Sequence, residues 1–143
     1  MSIDSSFNFK DLKFPRVFLD VKIQGKNEGK IVIELFDKFL PKTCSNFRKL
    51  CEMKKYQSSK ILRIMKKGFI QGGDFENNNG SGGKSSFYYE SQKASPSEES
   101  ADFVPENQAL GMFEPKKGCI GMLCQNKNGE CLNFFYLSTI LIQ

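Results

Sequence analysis

The stretch Arg63-Ile64-Met65-Lys66-Lys67-Gly68-Phe69-Ile70-Gln71-Gly72-Gly73-Asp74-Phe75 decides how this chain is read. Residues 59–65 and 68–75 are two β-strand candidates, and Lys66-Lys67-Gly68 marks the break between them. Arg63 is out of character in the first of these, inside Ile61-Leu62-Arg63-Ile64-Met65. Only Arg16, Arg48 and Arg63 are arginines among 21 basic residues. A guanidinium with apolar neighbours on both sides must reach solvent or a ligand. Its planar fork of donors, held at constant charge, suits recognition of a carbonyl beside an apolar surface. The plainer alternative is an edge-strand side chain that snorkels outward.

Outward toward the N-terminus the sequence has period two. Val17, Leu19, Val21 and Ile23 alternate with Phe18, Asp20 and Lys22, and Ile31, Ile33 and Leu35 alternate with Lys30, Val32, Glu34 and Phe36. Gly25-Lys26-Asn27-Glu28-Gly29 reads as the turn between them, so a hairpin is predicted. Residues 1–14 form a polar arm before Pro15, and residues 15–143 form one domain. After the hairpin the period changes. Leu40, Cys44, Phe47, Leu50 and Cys51 follow at helical spacing, with Pro41 in the first turn and Arg48 and Lys49 near the end.

Toward the C-terminus, Asn77-Asn78-Asn79-Gly80-Ser81-Gly82-Gly83 is a loop. Residues 87–102, rich in Ser and Glu and containing Pro96, read as a mobile surface insertion rather than a helix. Residues 118–125 and 133–142 are the last strand candidates. The fold class is mainly β.

Composition excludes whole classes of chemistry. The 143 residues contain no His, which removes the Ser-His-Asp triad, the Cys-His dyad and the HExxH zinc site. Trp is also absent while Phe reaches 14, so the core rests on Phe and aliphatic side chains. The net charge of +5 comes from scattered lysines rather than a stripe, so no nucleic-acid partner is expected. Cys44, Cys51, Cys119, Cys124 and Cys131 are odd in number and have no CxxC spacing. Free thiols in a reducing compartment and no bound metal are the expectation. No secretory leader pattern opens the sequence, and the apolar run at 134–142 is too short to span a bilayer. A soluble cytoplasmic protein, or a nuclear one, with no membrane partner is expected.

Two motifs tempt and fail. Gly83-Lys84-Ser85 invites a phosphate-loop reading, but the pattern needs Gly where Asn78 stands, and a helix afterwards. Glu98-Glu99, Asp102 and Glu106 lie in a polar stretch with nothing to raise their pKa values, and read as a solvated acidic loop.

Several linked motifs then carry a resemblance. Phe18-Leu19-Asp20-Val21, Gly29-Lys30-Ile31-Val32-Ile33-Glu34-Leu35-Phe36 and Pro41-Lys42-Thr43-Cys44-Ser45-Asn46-Phe47 resemble the opening of a cyclophilin. The stretch from Arg63 to Phe75 looks like the family's central signature, and Asn79-Gly80-Ser81-Gly82-Gly83-Lys84-Ser85 is similar to the glycine loop that follows. The resemblance covers about residues 15–140. It implies an eight-stranded antiparallel barrel with a helix over each end, acting as a peptidyl-prolyl cis-trans isomerase on proline-containing peptides. It also implies no cofactor and no covalent intermediate. The barrier to be lowered is about 18–20 kcal/mol, set by amide resonance. By the same resemblance Arg63 donates to the twisting amide, Gln71 hydrogen-bonds the peptide backbone, and Phe135 floors the proline pocket. Phe69, Leu123, Cys124, Gln125 and Asn133 complete the expected substrate-binding set.

The departures set further expectations. Gly68 falls where the family usually has a pocket Phe, and a small shift would bring Phe69 there instead. In Gly121-Met122-Leu123-Cys124-Gln125 the peptide-binding Asn becomes Cys124, and Asn133 replaces a Gln. The pocket Trp would fall at about Gln143 and the pocket His beyond it, so the barrel is expected to be incomplete at its C-terminal end. Weakened catalysis, little or no cyclosporin binding and self-association through the C-terminal strand follow as expectations. A proline-peptide binding module without catalysis is the alternative reading.

Overall fold

Alternation along residues 16–34 produces the first element pair, as its period requires. In the computed structural model, which describes residues 13–94, 106, 117–123 and 134–138, β1 (Arg16–Ile23) and β2 (Lys26–Glu34) form an antiparallel hairpin. Val17 pairs with Ile33 and Leu19 with Ile31 on the inner face. Phe18 pairs with Val32 on the outer face, between the Arg16–Glu34 and Asp20–Lys30 ion pairs. The turn is tighter than composition suggested. Gln24 and Gly25 alone make it, both at positive φ (50° and 81°), the geometry that matches strand twist in two-residue hairpins. Asn27, Glu28 and Gly29 belong to β2, where a register shift opposite Val21 and Lys22 absorbs the extra residue. Their polar composition reflects a bulged, exposed strand and not a loop.

Helix α1 (Pro41–Glu52) lies on the hairpin and buries Cys44, Asn46, Phe47 and Leu50. Ile33, Leu35, Cys44 and Phe47 form the core cluster, with Val17, Leu19, Ile31, Tyr56, Ile120 and Met122 packed against it. Each such aliphatic or Phe side chain withdrawn from water contributes about 1.5–3 kcal/mol. Leu40 at the helix N-cap makes no side-chain cap bond. Glu106, far along the chain, takes that place: the N–H groups of Lys42 and Thr43 and the Thr43 hydroxyl all donate to its carboxylate.

Four further strands form one antiparallel sheet in the order β3 (Ile61–Ile64), β4 (Phe69–Gly72), β6 (Phe134–Ser138), β5 (Ile120–Leu123). The hairpin is a separate two-stranded sheet among the described residues, and no closed barrel is formed by them. Because β6 lies between β4 and β5, residues 134–138 have paired backbone on both sides. Among the described residues, β3 and β5 are the outer strands of this sheet.

The second helix was not anticipated. α2 (Ser86–Ala94) occupies the start of the stretch 87–102 that composition assigned to a mobile insertion. Ser85 begins it, its hydroxyl accepting the Tyr88 N–H in the manner of an N-cap, and Lys93 sits in the last turn. Packing supplies the rest. Phe47, Tyr56, Phe75 and Tyr89 form a chain of rings with centroids 5.3, 5.6 and 6.4 Å apart, so α2 is anchored to the core by Tyr89. Residues 95–102 of that stretch, and residues 1–12 of the expected arm, lie outside the described residues.

Candidate active site

The site grows from an irregularity in β3. Ile61 pairs with Gly72 but Arg63 pairs with Gln71, so Leu62 is the extra residue of a bulge. A flat ladder starting from the same Ile61–Gly72 pair would set Leu62 against Gln71 and Arg63 against Ile70. The bulge therefore moves Arg63 onto the row of Gln71. Phe69, two residues before Gln71, shares that row, and the Arg63 guanidinium carbon lies 5.2 Å from the centre of its ring. Such a stacked contact at an exposed position contributes about 0.5–1 kcal/mol and orients the guanidinium.

The turn that delivers Phe69 is closed by the Gly68 N–H on the Met65 carbonyl and by the Met65 N–H on the Phe69 carbonyl. Lys67 is left-handed there, with φ 62°. A Cβ on Gly68 would come within 2.9 Å of Met65 Cγ, so Met65 fills the space a side chain at 68 would take. Phe69 thus takes the position beside Arg63. Both readings of Arg63 have support: among the described residues β3 is an edge strand and Arg63 is exposed, yet it shares a face with Phe69 and Gln71.

The remaining expected residues divide. Leu123 pairs with Phe134, and Gly121 and Gln71 both pair with Tyr136, so Leu123 and Tyr136 hold register positions on the face of Arg63. Phe135 pairs with Gly72 and Met122, which is the opposite parity. A one-residue difference in register exchanges the faces of a whole strand, and the pairing does not bring Phe135 to the Arg63 row. Cys124, Gln125 and Asn133 lie outside the described residues.

Directly after β4 the chain turns around Asp74, which is 1% exposed. Its carboxylate accepts the N–H groups of Asn77, Asn79, Gly80 and Gly82 at 2.8, 3.0, 2.8 and 3.3 Å. Burial alone would raise this carboxyl, but the four donors hold it well below the usual carboxylate range. The loop is tied back to β3 by the Lys60 N–H on Asn78 Oδ1 and closed by the Gly83 N–H on Glu76. This geometry also disposes of the phosphate-loop reading, although on new grounds. A helix does follow Ser85, contrary to expectation, but the Ser86 N–H donates to Asn46 Oδ1 and the Tyr88 N–H to Ser85. The loop N–H groups that would cradle a phosphate already hold Asp74.

Sequence reasoning passed over three positions that build this frame. Asp74 was read within the motif but given no role, Glu106 was read as solvated acid, and Asn46, fully buried, links α1 to the start of α2. The cysteines are quiet. Burial, with Asp37 and Glu106 nearby, pushes the Cys44 thiol up to about 12, and burial with Glu52 pushes Cys51 to about 11. Cys119 is free, and no cluster of three metal-ligating side chains exists among the described residues. No helix among them is long and apolar enough to cross a membrane.

A family model described as cyclophilin type peptidyl-prolyl cis-trans isomerase/CLD matches residues 18–139. The chain belongs to the cyclophilin-type family. The match runs from β1 through β6 and takes in the Arg63–Phe75 segment, the Asp74 loop and α2. The family's barrel is represented here by six strands and two helices among the described residues. Proline-containing peptides are the ligands the family recognises in general, and they are the frame for reading the Arg63 face.

Proposed function

We propose that this protein is a peptidyl-prolyl cis-trans isomerase of weakened activity that assists folding by rotating X–Pro bonds without a cofactor. The observation that carries the reading is the Leu62 bulge, which sets Arg63 opposite Gln71 with the Phe69 ring beneath the guanidinium. In this reading Phe69 and Leu123 provide apolar surface for the proline ring. Gln71 holds the peptide backbone. Arg63 donates to the amide as it twists and loses resonance, a state in which the amide nitrogen becomes a better acceptor than in the planar ground state. No proton is transferred and no bond is broken, so the rotation itself calls for no imidazole.

Weakening is argued from three substitutions: Cys124 and Asn133 replace longer or better hydrogen-bonding groups, and Gln143 stands at about the position of the family's pocket Trp. Gln143 in place of that Trp is the ground for expecting little or no cyclosporin binding. In this reading the protein works in the cytoplasm or nucleus, a proposal that rests on its odd number of cysteines without CxxC spacing. The second reading, a proline-peptide binder without catalysis, draws on the exposure of Arg63 at a sheet edge. Exchange spectroscopy on a proline peptide separates them. Enhanced cis–trans exchange that falls in Arg63→Ala supports the isomerase, whereas binding without enhanced exchange supports the second reading.

A further inference from the structure

Away from the Arg63 face, the C-terminal end of α1 and the side of α2 enclose an open groove of about 490 Å³ lined by Met53, Lys55, Tyr89, Gln92 and Lys93. Its charge is one-sided. Glu52 pairs with Arg48, Glu90 with Lys49, and Glu76 accepts the Tyr89 hydroxyl and the Gly83 N–H. Lys55 and Lys93 have no carboxylate partner among the described residues. The Lys55 ammonium lies 3.6 Å from the centre of the Tyr89 ring, which holds it at the groove, and Lys93 is exposed. Tyr89 is itself fixed by Glu76 and by the ring of Phe75. The groove is therefore lined by an anchored tyrosine with Lys55 over its ring, and by a second cation, Lys93.

We propose that this groove binds an acidic extended peptide segment of a partner protein, with Lys55 and Lys93 pairing to its carboxylates. Met53, Tyr89 and Gln92 would take the peptide's stems and backbone. Lysines act as point charges on flexible stems and suit carboxylates spaced along a chain. No Arg lines the groove to supply the planar fork that favours phosphoryl groups. One ring, already covered by Lys55, is not the series of open aromatic faces that stacks single-stranded bases.

The test is fluorescence anisotropy with a labelled hexaglutamate peptide at low salt, with the full 143-residue protein. Lys55→Glu/Lys93→Glu should weaken binding at least tenfold. Lys22→Glu/Lys26→Glu on the hairpin, an equal change in net charge, should leave it within about twofold. Lys93→Glu alone, which keeps the Lys55–Tyr89 contact, should weaken it at least threefold, and circular dichroism establishes that each variant is folded. Amide shifts at Met53, Tyr89 and Gln92 should move on titration. Equal losses in the two double variants, no peptide binding, or tighter binding of a single-stranded oligothymidine abolished by the same groove variants would each overturn the assignment.

Discussion

Arg63 and Phe69 are joined by a ring contact of 5.2 Å that exists only because Leu62 is bulged out of the β3–β4 ladder. The contact fixes the direction of the guanidinium but leaves its N–H groups able to reach a ligand. If the ring orients a catalytic donor, Phe69→Leu should lower kcat about three- to tenfold while changing KM less. Arg63→Lys, which keeps the charge and loses the fork, should lose at least tenfold, and Arg63→Ala should lose at least as much. An Arg63→Ala protein as active as its parent would remove Arg63 from the mechanism.

The register of β6 makes a second, independent prediction. Tyr136 stands opposite Gln71, and Phe135 opposite Gly72. On this pairing Tyr136→Ala should impair proline-peptide binding more than Phe135→Ala, while Phe135→Ala should cost more stability. Phe-to-Ala truncation in a packed position costs about 3–5 kcal/mol. Titration of both variants with a proline peptide, alongside urea melts, decides the matter. The reverse ranking would show that the family-like role belongs to Phe135.

The hairpin, α1 and the β3–β4 pair were legible because period and local chemistry dictate them. Val17, Leu19, Ile31 and Ile33 alternate, and Pro41 opens a helix whose apolar residues recur at its own spacing. The Leu62 bulge was not legible, since Ile61-Leu62-Arg63-Ile64 carries no mark saying which residue is extra. Nor was the α1 cap, supplied by Glu106 some sixty positions away. The helix at Ser86–Ala94 was missed for another reason. Ser85 was read only as part of a phosphate-loop motif and not as an N-cap, and the rings that hold α2 come from Tyr56 and Phe75 and are a property of the packing. The contact of Phe69 with Arg63 was not legible, because it follows from the bulge, and the parity of Phe135 depended on a pairing that sequence does not specify.

The Glu106 cap predicts a measurable loss. Burial opposes the charge, but the Thr43 hydroxyl and the N–H groups of Lys42 and Thr43 outweigh it and lower the carboxyl's pKa. Removing such a cap costs about 1–2 kcal/mol, because Leu40 has no side-chain oxygen to replace it. Glu106→Ala should shift the urea midpoint downward accordingly, with Glu106→Gln intermediate. A Glu106→Ala midpoint equal to that of the parent would show that the contact contributes nothing.

The thiols of Cys44 and Cys51 should resist modification. With values pushed up to about 12 and about 11, less than about 0.1% of either is thiolate at pH 8, and α1 packing restricts access. In the native protein a thiol-disulfide reagent should leave both unreacted over the time in which urea-unfolded protein reacts completely. Rapid labelling of Cys44 in the folded state would mean that α1 opens far more readily than its core contacts imply.

Asp74 should dominate the acid sensitivity of the fold. Its folded pKa lies far below the ordinary value of about 3.9, so between the two the unfolded chain binds a proton that the native protein does not. Stability from this residue is therefore complete above about pH 5 and drains away as the pH falls through 4 and below. The four donors give the reason: protonation removes the charge that Asn77, Asn79, Gly80 and Gly82 jointly address. Asp74→Asn mimics that loss at neutral pH and turns an amide NH2 toward N–H groups it cannot accept from. The expected cost is roughly 3 kcal/mol, or a fall in Tm of about 6–12 °C. Because the loop is bound to β3 through Lys60 and Asn78, the variant should also loosen the strand that carries Arg63. Proline exchange should then fall further than the folded fraction alone explains. Thermal melts of parent and variant from pH 7 to pH 3 carry the test. Parent stability that drops below pH 4 much more steeply than that of the variant, which keeps only the smaller Glu106 contribution, is the expected pattern, and parallel curves would place the acid-sensitive group elsewhere.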